Sequence, residues 1–258
     1  MAVYLWAVIH DRPVRWACAP ENWDLGLWKQ ALPSQSTMSR RLRTTEVQRL
    51  LNKVEAVFGC LNPSGWVFEI DGKPLTIGSY SRDRDATWGR ACRTFAKGFK
   101  LHAFYGAGPM PLEWEITGLN VGEPEVAARL LARRKGGGYV LADKAFDSNP
   151  LHDIAAAGGF QLVAERKRPN AGLGHRRHSP HRLRCIELLK GDFGRDLYVR
   201  RKDVERQFGG LTNHAGGLAP LPNWVRRSHR VRLWVQAKLI IHAAYVHWRG
   251  QPPPLPDA

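Results

Sequence analysis

Two aspartates, Asp71 and Asp143, each follow a short apolar run, Trp66-Val-Phe-Glu-Ile70 before the first and Tyr139-Val-Leu-Ala142 before the second. Runs of that length and type predict strands. In open α/β sheets, ligands gather beyond the carboxyl ends of strands, so aspartates at two neighbouring strand ends would face one pocket. Carboxylates held together repel, and one stays protonated unless a cation neutralises them. Mg²⁺ is the hard cation suited to such oxygen ligands, and Mn²⁺ accepts the same set. The competing readings are plain ones. Asp71-Gly72 is also a hairpin-turn signal, and an aspartate after a strand is often an ordinary loop residue.

A third acid lies farther on. A helix is predicted over 197–211, where Tyr198, Arg201, Glu205 and Thr212 fall at i, i+3, i+7 and i+14, one helical face. A carboxylate there can complete a cation site, and Arg201 one turn earlier can grip a phosphate. A surface Arg–Glu pair would leave the same pattern. His175, His178 and His181 suggest zinc, but Pro180 and the surrounding arginines indicate a loop, and no cysteine is placed to complete a site.

The elements that must position these residues give an α/β chain. Strands are expected at 66–70, 100–105 and 112–119, then a helix at 123–134, a strand at 139–142, a helix at 149–157 and a strand at 160–164. Helices follow at 197–211 and 231–248. This order implies a mixed sheet flanked by helices. Between the first two strands, 79–93 is expected to be a loop of alternating charge. Residues 1–64 form a small, mainly helical section, joined to the rest at Asn62-Pro-Ser-Gly65. Within it a short helix is expected at 23–30, then a basic helix capped from Ser34–Thr37 and carrying Arg40, Arg41 and Arg43, and a further apolar stripe from Val47 to Phe58. Helix, turn and basic helix is the outline of a helix-turn-helix DNA reader. Two helices packed on the next domain, with their arginines in water, would look the same. The ten tryptophans are expected mostly in the core, Trp88 among them, although Trp88 in its charged loop is also placed to stack on a base. Residues 251–258 read as a disordered, proline-rich tail.

Composition narrows the partners. The 258 residues hold 39 Lys+Arg against 23 Asp+Glu, a net charge of +16, which favours polyanions. Residues 165–206 carry 13 Lys+Arg against 6 Asp+Glu, and after Glu205 no acid occurs before Asp257. A basic flank beside an acidic cluster suits a site that holds DNA against metal ions. The four cysteines are widely spaced without a C-x-x-C pair, which argues against a zinc ribbon or a disulfide framework and for a reducing, cytoplasmic home. Neither the apolar start nor the 233–246 stretch has the flanks or length of a signal peptide or membrane span, so no membrane partner is expected. RNP blocks, which an RNA-binding protein would want, are absent.

Taken together, residues 66–248 resemble the catalytic domain of insertion-sequence DDE transposases, the bacterial group with a Tyr-x2-Arg-x3-Glu-x6-Lys signature. Tyr198, Arg201 and Glu205 stand at those spacings. Ile-Asp-Gly-Lys-Pro-Leu at 70–75, the Ser81-Arg-Asp-Arg-Asp-Ala run, Ala96-Lys-Gly-Phe-Lys-Leu-His and Leu141-Ala-Asp-Lys-Ala-Phe-Asp resemble the family's other blocks, in the same order. The resemblance implies an RNase H-like fold and two-metal phosphoryl transfer at DNA ends. Asp71, Asp143 and Glu205 would be the catalytic metal ligands, and Tyr198 and Arg201 DNA contacts. Partners would be duplex DNA, both element terminal repeats and target, bound by a homodimer in a nucleoid-associated bacterial setting. The signature's final lysine is Thr212 here, so Lys202 or Arg206 would have to supply that phosphate contact. Only 62 residues separate Asp143 from Glu205, too few for a large inserted β-domain. The Thr212 departure and the brief first section keep a second reading open, a DNA-binding descendant that no longer cuts.

Overall fold

The computed structural model describes residues 1–24, 31–91, 94–175, 177–213, 217–218 and 220–250. The first section contributes α1 (Ala2–Ile9), α2 (Val14–Ala17), α3 (Gln35–Arg41) and α4 (Thr45–Cys60). A sheet then forms from β1 (Val67–Thr76), β2 (Thr87–Ala91), β3 (Thr94–Tyr105) and β4 (Glu113–Gly118). It is followed by α5 (Glu123–Ala132), β5 (Gly138–Leu141), α6 (Asn149–Ala157) and β6 (Phe160–Val163). The chain finishes with α7 (Pro180–Leu188), α8 (Asp192–Val199), α9 (Lys202–Asn213) and α10 (Ser228–Gly250).

Local chemistry sets the boundaries. Ser34 Oγ accepts the Thr37 N–H and starts α3. Ser179 Oγ accepts the N–H groups of His181 and Arg182 and starts α7, with Pro180 in the first turn, where its missing N–H costs nothing. Gly159 (φ +88°) ends α6; a Cβ there would lie 2.1 Å from the Gly136 carbonyl oxygen, so only glycine turns the chain directly into β6.

The strand order is β2-β3-β1-β5-β6, with β4 also paired to β3. β1 is antiparallel to β3 over eight residue pairs and parallel to β5 over three, Val67↔Tyr139 to Glu69↔Leu141. Successive side chains alternate between the two faces. On one face Ile70, Phe104, Val140 and Leu162 pack under α5 and α6, around Val126, Leu130, Leu151 and Ala155. On the other face Leu75, Phe99, Leu101 and Ala103 share one core with α9, α10 and the N-terminal helices, through Val3, Ala7, Met38, Leu51, Phe208, Trp234 and Leu239. The expected mixed α/β sheet is present, and its order is RNase H-like.

Several expectations change. β1 does not stop at Ile70 but runs through Asp71 and Gly72 to Thr76, because β3 offers it a continuous antiparallel edge. β2 forms inside the stretch expected to be a loop. The helix expected over 197–211 is broken at Arg200–Arg201, where three consecutive cations meet and Asp203 and Glu205 become the favourable acidic first turn of a new helix. Pro180 opens α7 where a loop was expected. The apolar start is α1, and no helix of the described residues is long and apolar enough to cross a membrane. Of the described tryptophans only Trp114 and Trp234 are fully buried, and Trp88 is half exposed. The helix expected at 23–30 falls mostly, and the tail at 251–258 wholly, outside the described residues.

Lys238 ties the ends of the chain together. It lies in α10 only 1% exposed, and its Nζ donates to the Val8 carbonyl at 2.8 Å and to Asp11 Oδ1 at 2.6 Å. Burial lowers the affinity of its ammonium for the proton, and Asp11 opposes that shift. Removing the carboxylate leaves a buried cation with one neutral acceptor. Asp11→Ala should therefore cost about 1–2 kcal/mol in urea unfolding, whereas Lys238→Met with Asp11→Ala should recover most of the loss.

Candidate active site

The site forms where β1 and β5 part. Their parallel register ends at Glu69↔Leu141; continued by two residues it would set Asp71 against Asp143, on the face that α7, α8 and α9 cover. Asp143 instead leaves the ladder. Its Oδ1 accepts the Ala145 N–H at 2.6 Å and caps a 3₁₀ turn, Lys144–Phe146. Asp71 stays in β1, with its Oδ1 accepting the Gly72 N–H at 2.7 Å.

The acids act on one another electrostatically. Burial pushes the Asp71 carboxyl up to about 6; the Gly72 N–H pulls it down, Glu123 and Asp143 push it up again, and Arg201 opposes them. The Asp143 charge thus acts on Asp71. Glu123, at the N-terminus of α5, joins them from the other face of the sheet, where it lies beside Gly72 and pairs with Lys100 at 2.9 Å. Nothing in the sequence pointed to Glu123.

Glu205 is not brought to this pair. Its side chain is 64% exposed and sits 3.5 Å from Arg201 in an i,i+4 ion pair. Among the described residues no three His, Cys, Asp or Glu side chains form a ready cation cage, and this holds also for the histidines near α7. Asp71 and Asp143 nevertheless fit a divalent cation: both are oxygen donors, and a cation would favour the charged form of Asp71, which burial first and the neighbouring carboxylates second disfavour.

The break between α8 and α9 separates the residues expected on one helical face. Tyr198 ends α8, and its hydroxyl donates to the Ala142 carbonyl at 3.1 Å, next to Asp143. Arg201 stacks 6.0 Å from the Tyr198 ring and faces both Asp71 and Glu205. Lys202 is exposed. Arg206 pairs with Asp203 at 2.8 Å. Thr212, at the position of the signature lysine, accepts instead from Lys73 Nζ at 2.8 Å. Lys73 had a signal: it is two residues from Asp71, hence on the same face once β1 is read through Gly72. Arg40, Arg41 and Arg43 are exposed on and just after α3, away from these acids in the fold.

Asp147 braces the turn after Asp143. Burial disfavours its charge, but the Arg182 guanidinium from α7, His152 and the Lys167 N–H outweigh that and hold it well below the usual carboxylate range. Arg182 Nε and Nη2 reach its two oxygens at 2.5 and 2.7 Å. A separate cavity of ≈ 430 Å³ beside β1 contains Glu69, which is 7% exposed and pushed up to about 7 by burial and by Asp203.

The sheet order and the acids at its central fork define an RNase H-like domain. Residues 62–242 match the family model described as the transposase DDE domain, well over half of the chain, and the protein belongs to that family of DDE transposases. No curated protein and no solved structure matches the chain significantly.

The raised Asp71 carboxyl has a stability consequence. In the folded state its charged form is disfavoured, so this group stabilises the fold fully below the unfolded pKa near 4, and that contribution is lost as pH rises through about 6. In chelator, Asp71→Asn should melt above the wild type at pH 8, with the gap closing by pH 4, as measured by calorimetry at both values.

Proposed function

We propose that the protein cuts DNA at the ends of an insertion sequence and joins those ends to target DNA, with Asp71, Asp143 and Glu205 as the catalytic acids and ligands of two Mg²⁺ ions. The observation that carries this reading is the fork of β1 and β5, which sets Asp71 and Asp143 in one field within a transposase DDE domain. Bound there, divalent cations supply activation of the attacking oxygen and stabilisation of the leaving oxygen in an in-line displacement.

The chain's own groups do the rest. Tyr198 and Asp147 fix the backbone on either side of Asp143, so its carboxylate is held in place before DNA arrives. Arg201 holds Glu205 in the DNA-free chain; a scissile phosphate offers the guanidinium a better two-pronged partner, which releases Glu205 toward Asp71. Lys73 stands in for the missing lysine at Thr212 and holds a neighbouring phosphate, with Lys202 and Arg206 as outer DNA contacts. Arg40, Arg41 and Arg43 recognise the terminal repeats. Coordinated cutting of two ends needs two active sites, which a two-fold homodimer on DNA supplies.

The test is cleavage of duplex DNA carrying the element's own ends, with Mg²⁺, with Mn²⁺ and in chelator. Both metals should support cutting, and Asp143→Ala should lower the rate about a thousandfold while leaving duplex binding intact. Cutting that persists in chelator, or in the variant, contradicts the three-acid site. Binding without any cutting would mark the chain as a descendant that has lost the reaction.

A further inference from the structure

The run Arg82-Asp83-Arg84-Asp85 looks self-neutralising in the sequence, but the fold separates its signs. Asp83 is buried; its Oδ2 accepts the Arg227 backbone N–H at 2.9 Å and its Oδ1 accepts the Asp85 N–H at 3.1 Å. Asp85 Oδ2 accepts both the N–H and the hydroxyl of Ser228, the first residue of α10, at 2.9 and 3.1 Å. The Arg227 guanidinium lies 3.1 Å from its Oδ1. Both carboxylates are thus spent holding the N-terminus of α10, where negative charge and N–H acceptors are wanted. Arg82 and Arg84 are left pointing outward, exposed and without a hydrogen bond or ion pair among the described residues.

The adjoining β2–β3 hairpin extends this surface. Trp88 lies opposite Lys97 and Arg90 opposite Phe95. All four share the face of the sheet that carries Asp71, because Asp71 is opposite Ala103, and Phe95 and Lys97 fall on the same alternation of β3. The Trp88 and Phe95 rings stack at 6.0 Å and 11°, yet they remain 48% and 68% exposed. Arg90 is exposed and has no ion pair among the described residues. Lys97 Nζ donates to the Ser81 carbonyl at 2.8 Å and joins the hairpin to the arginine loop.

Three arginines without acid partners, around an exposed flat aromatic pair, form an array that attracts a polyanion. We infer that the 81–97 segment is a duplex-DNA backbone surface, with Arg82, Arg84 and Arg90 on phosphates and Trp88 and Phe95 against the sugars. Six residues of β3 separate the neighbour of Asp71 from that of Trp88, ~20 Å along the strand. The phosphates held there therefore belong to DNA about six base pairs from the bond that is cut. This inference rests on the reading of the chain as a transposase; its residues are other than the acids of the fork and other than Arg40, Arg41 and Arg43.

The test is fluorescence anisotropy of the full chain with a labelled duplex carrying the element ends, in chelator, across a salt series. An Arg82→Ala, Arg84→Ala double variant removes two phosphate contacts, so the fourfold rise from about 0.05 to 0.2 M salt should cost it about twelvefold less affinity than it costs the wild type. Its melting temperature should stay at the wild-type value, because Asp83 and Asp85 still hold α10. Lys135→Ala, just after α5 on the opposite face, should bind as the wild type does. Trp88→Ala with Phe95→Ala should weaken binding equally at every salt concentration. If the wild type binds duplex and the arginine variant shows the same salt slope, the surface is refuted alone. No duplex binding by the wild type refutes the transposase reading and the surface together. Preference for single strands, lost in the aromatic variant, overturns the duplex assignment.

Discussion

Three residue pairs of parallel ladder between β1 and β5 set where Asp71 and Asp143 stand. Val67 and Leu141 anchor that ladder from a small core with Val163, Cys185 and Leu197, and Phe68 and Val140 bury toward α5 and α6. The ladder is short because Asp143 leaves it to cap its own turn. One register therefore sets two carboxylates on one face and then parts the backbones around them. The arrangement is costly in the absence of a cation, as the raised Asp71 carboxyl shows. Sites of this kind exchange stability for function, and the hydrogen bonds from Gly72 and Ala145 offset part of the cost.

Charge is sorted by the fold rather than balanced along the chain. Asp83, Asp85 and Asp147 turn inward to hold α10 and α7, whereas the arginines of the 81–85 run and those on and after α3 face solvent. A net charge of +16 is thereby displayed outward. Arg201 stands at the boundary of the two populations and faces Asp71 while it pairs with Glu205. That single guanidinium links the phosphate-binding role proposed for the surface to the acidic role proposed for the fork.

Much of this was legible in the residues. Periodicity located five strands, and capping residues such as Ser34 and the Asn149-Pro150 pair marked helix starts close to where they fall. The two aspartates were found because apolar runs ending in an acid are a local signal. What remained hidden was set by partners distant in sequence. β1 continues past Gly72 because β3 is beside it, and this is why Lys73 reaches Thr212. Glu123 reaches Asp71 through the sheet, across 52 residues of chain. The α8–α9 break carries no proline or glycine, and it moves Tyr198 onto the Ala142 carbonyl instead of into line with Glu205.

The central claim, that the β1–β5 fork is a divalent-cation site before DNA binds, is tested most directly by Mn²⁺ titration of the DNA-free protein with the free ion followed by electron paramagnetic resonance. The account predicts saturable binding by the wild type, a loss of at least about tenfold in affinity in Asp71→Asn and in Asp143→Asn, and little change in Glu205→Gln until DNA is added. Mn²⁺ affinity that is the same in the wild type and in both aspartate variants would contradict it.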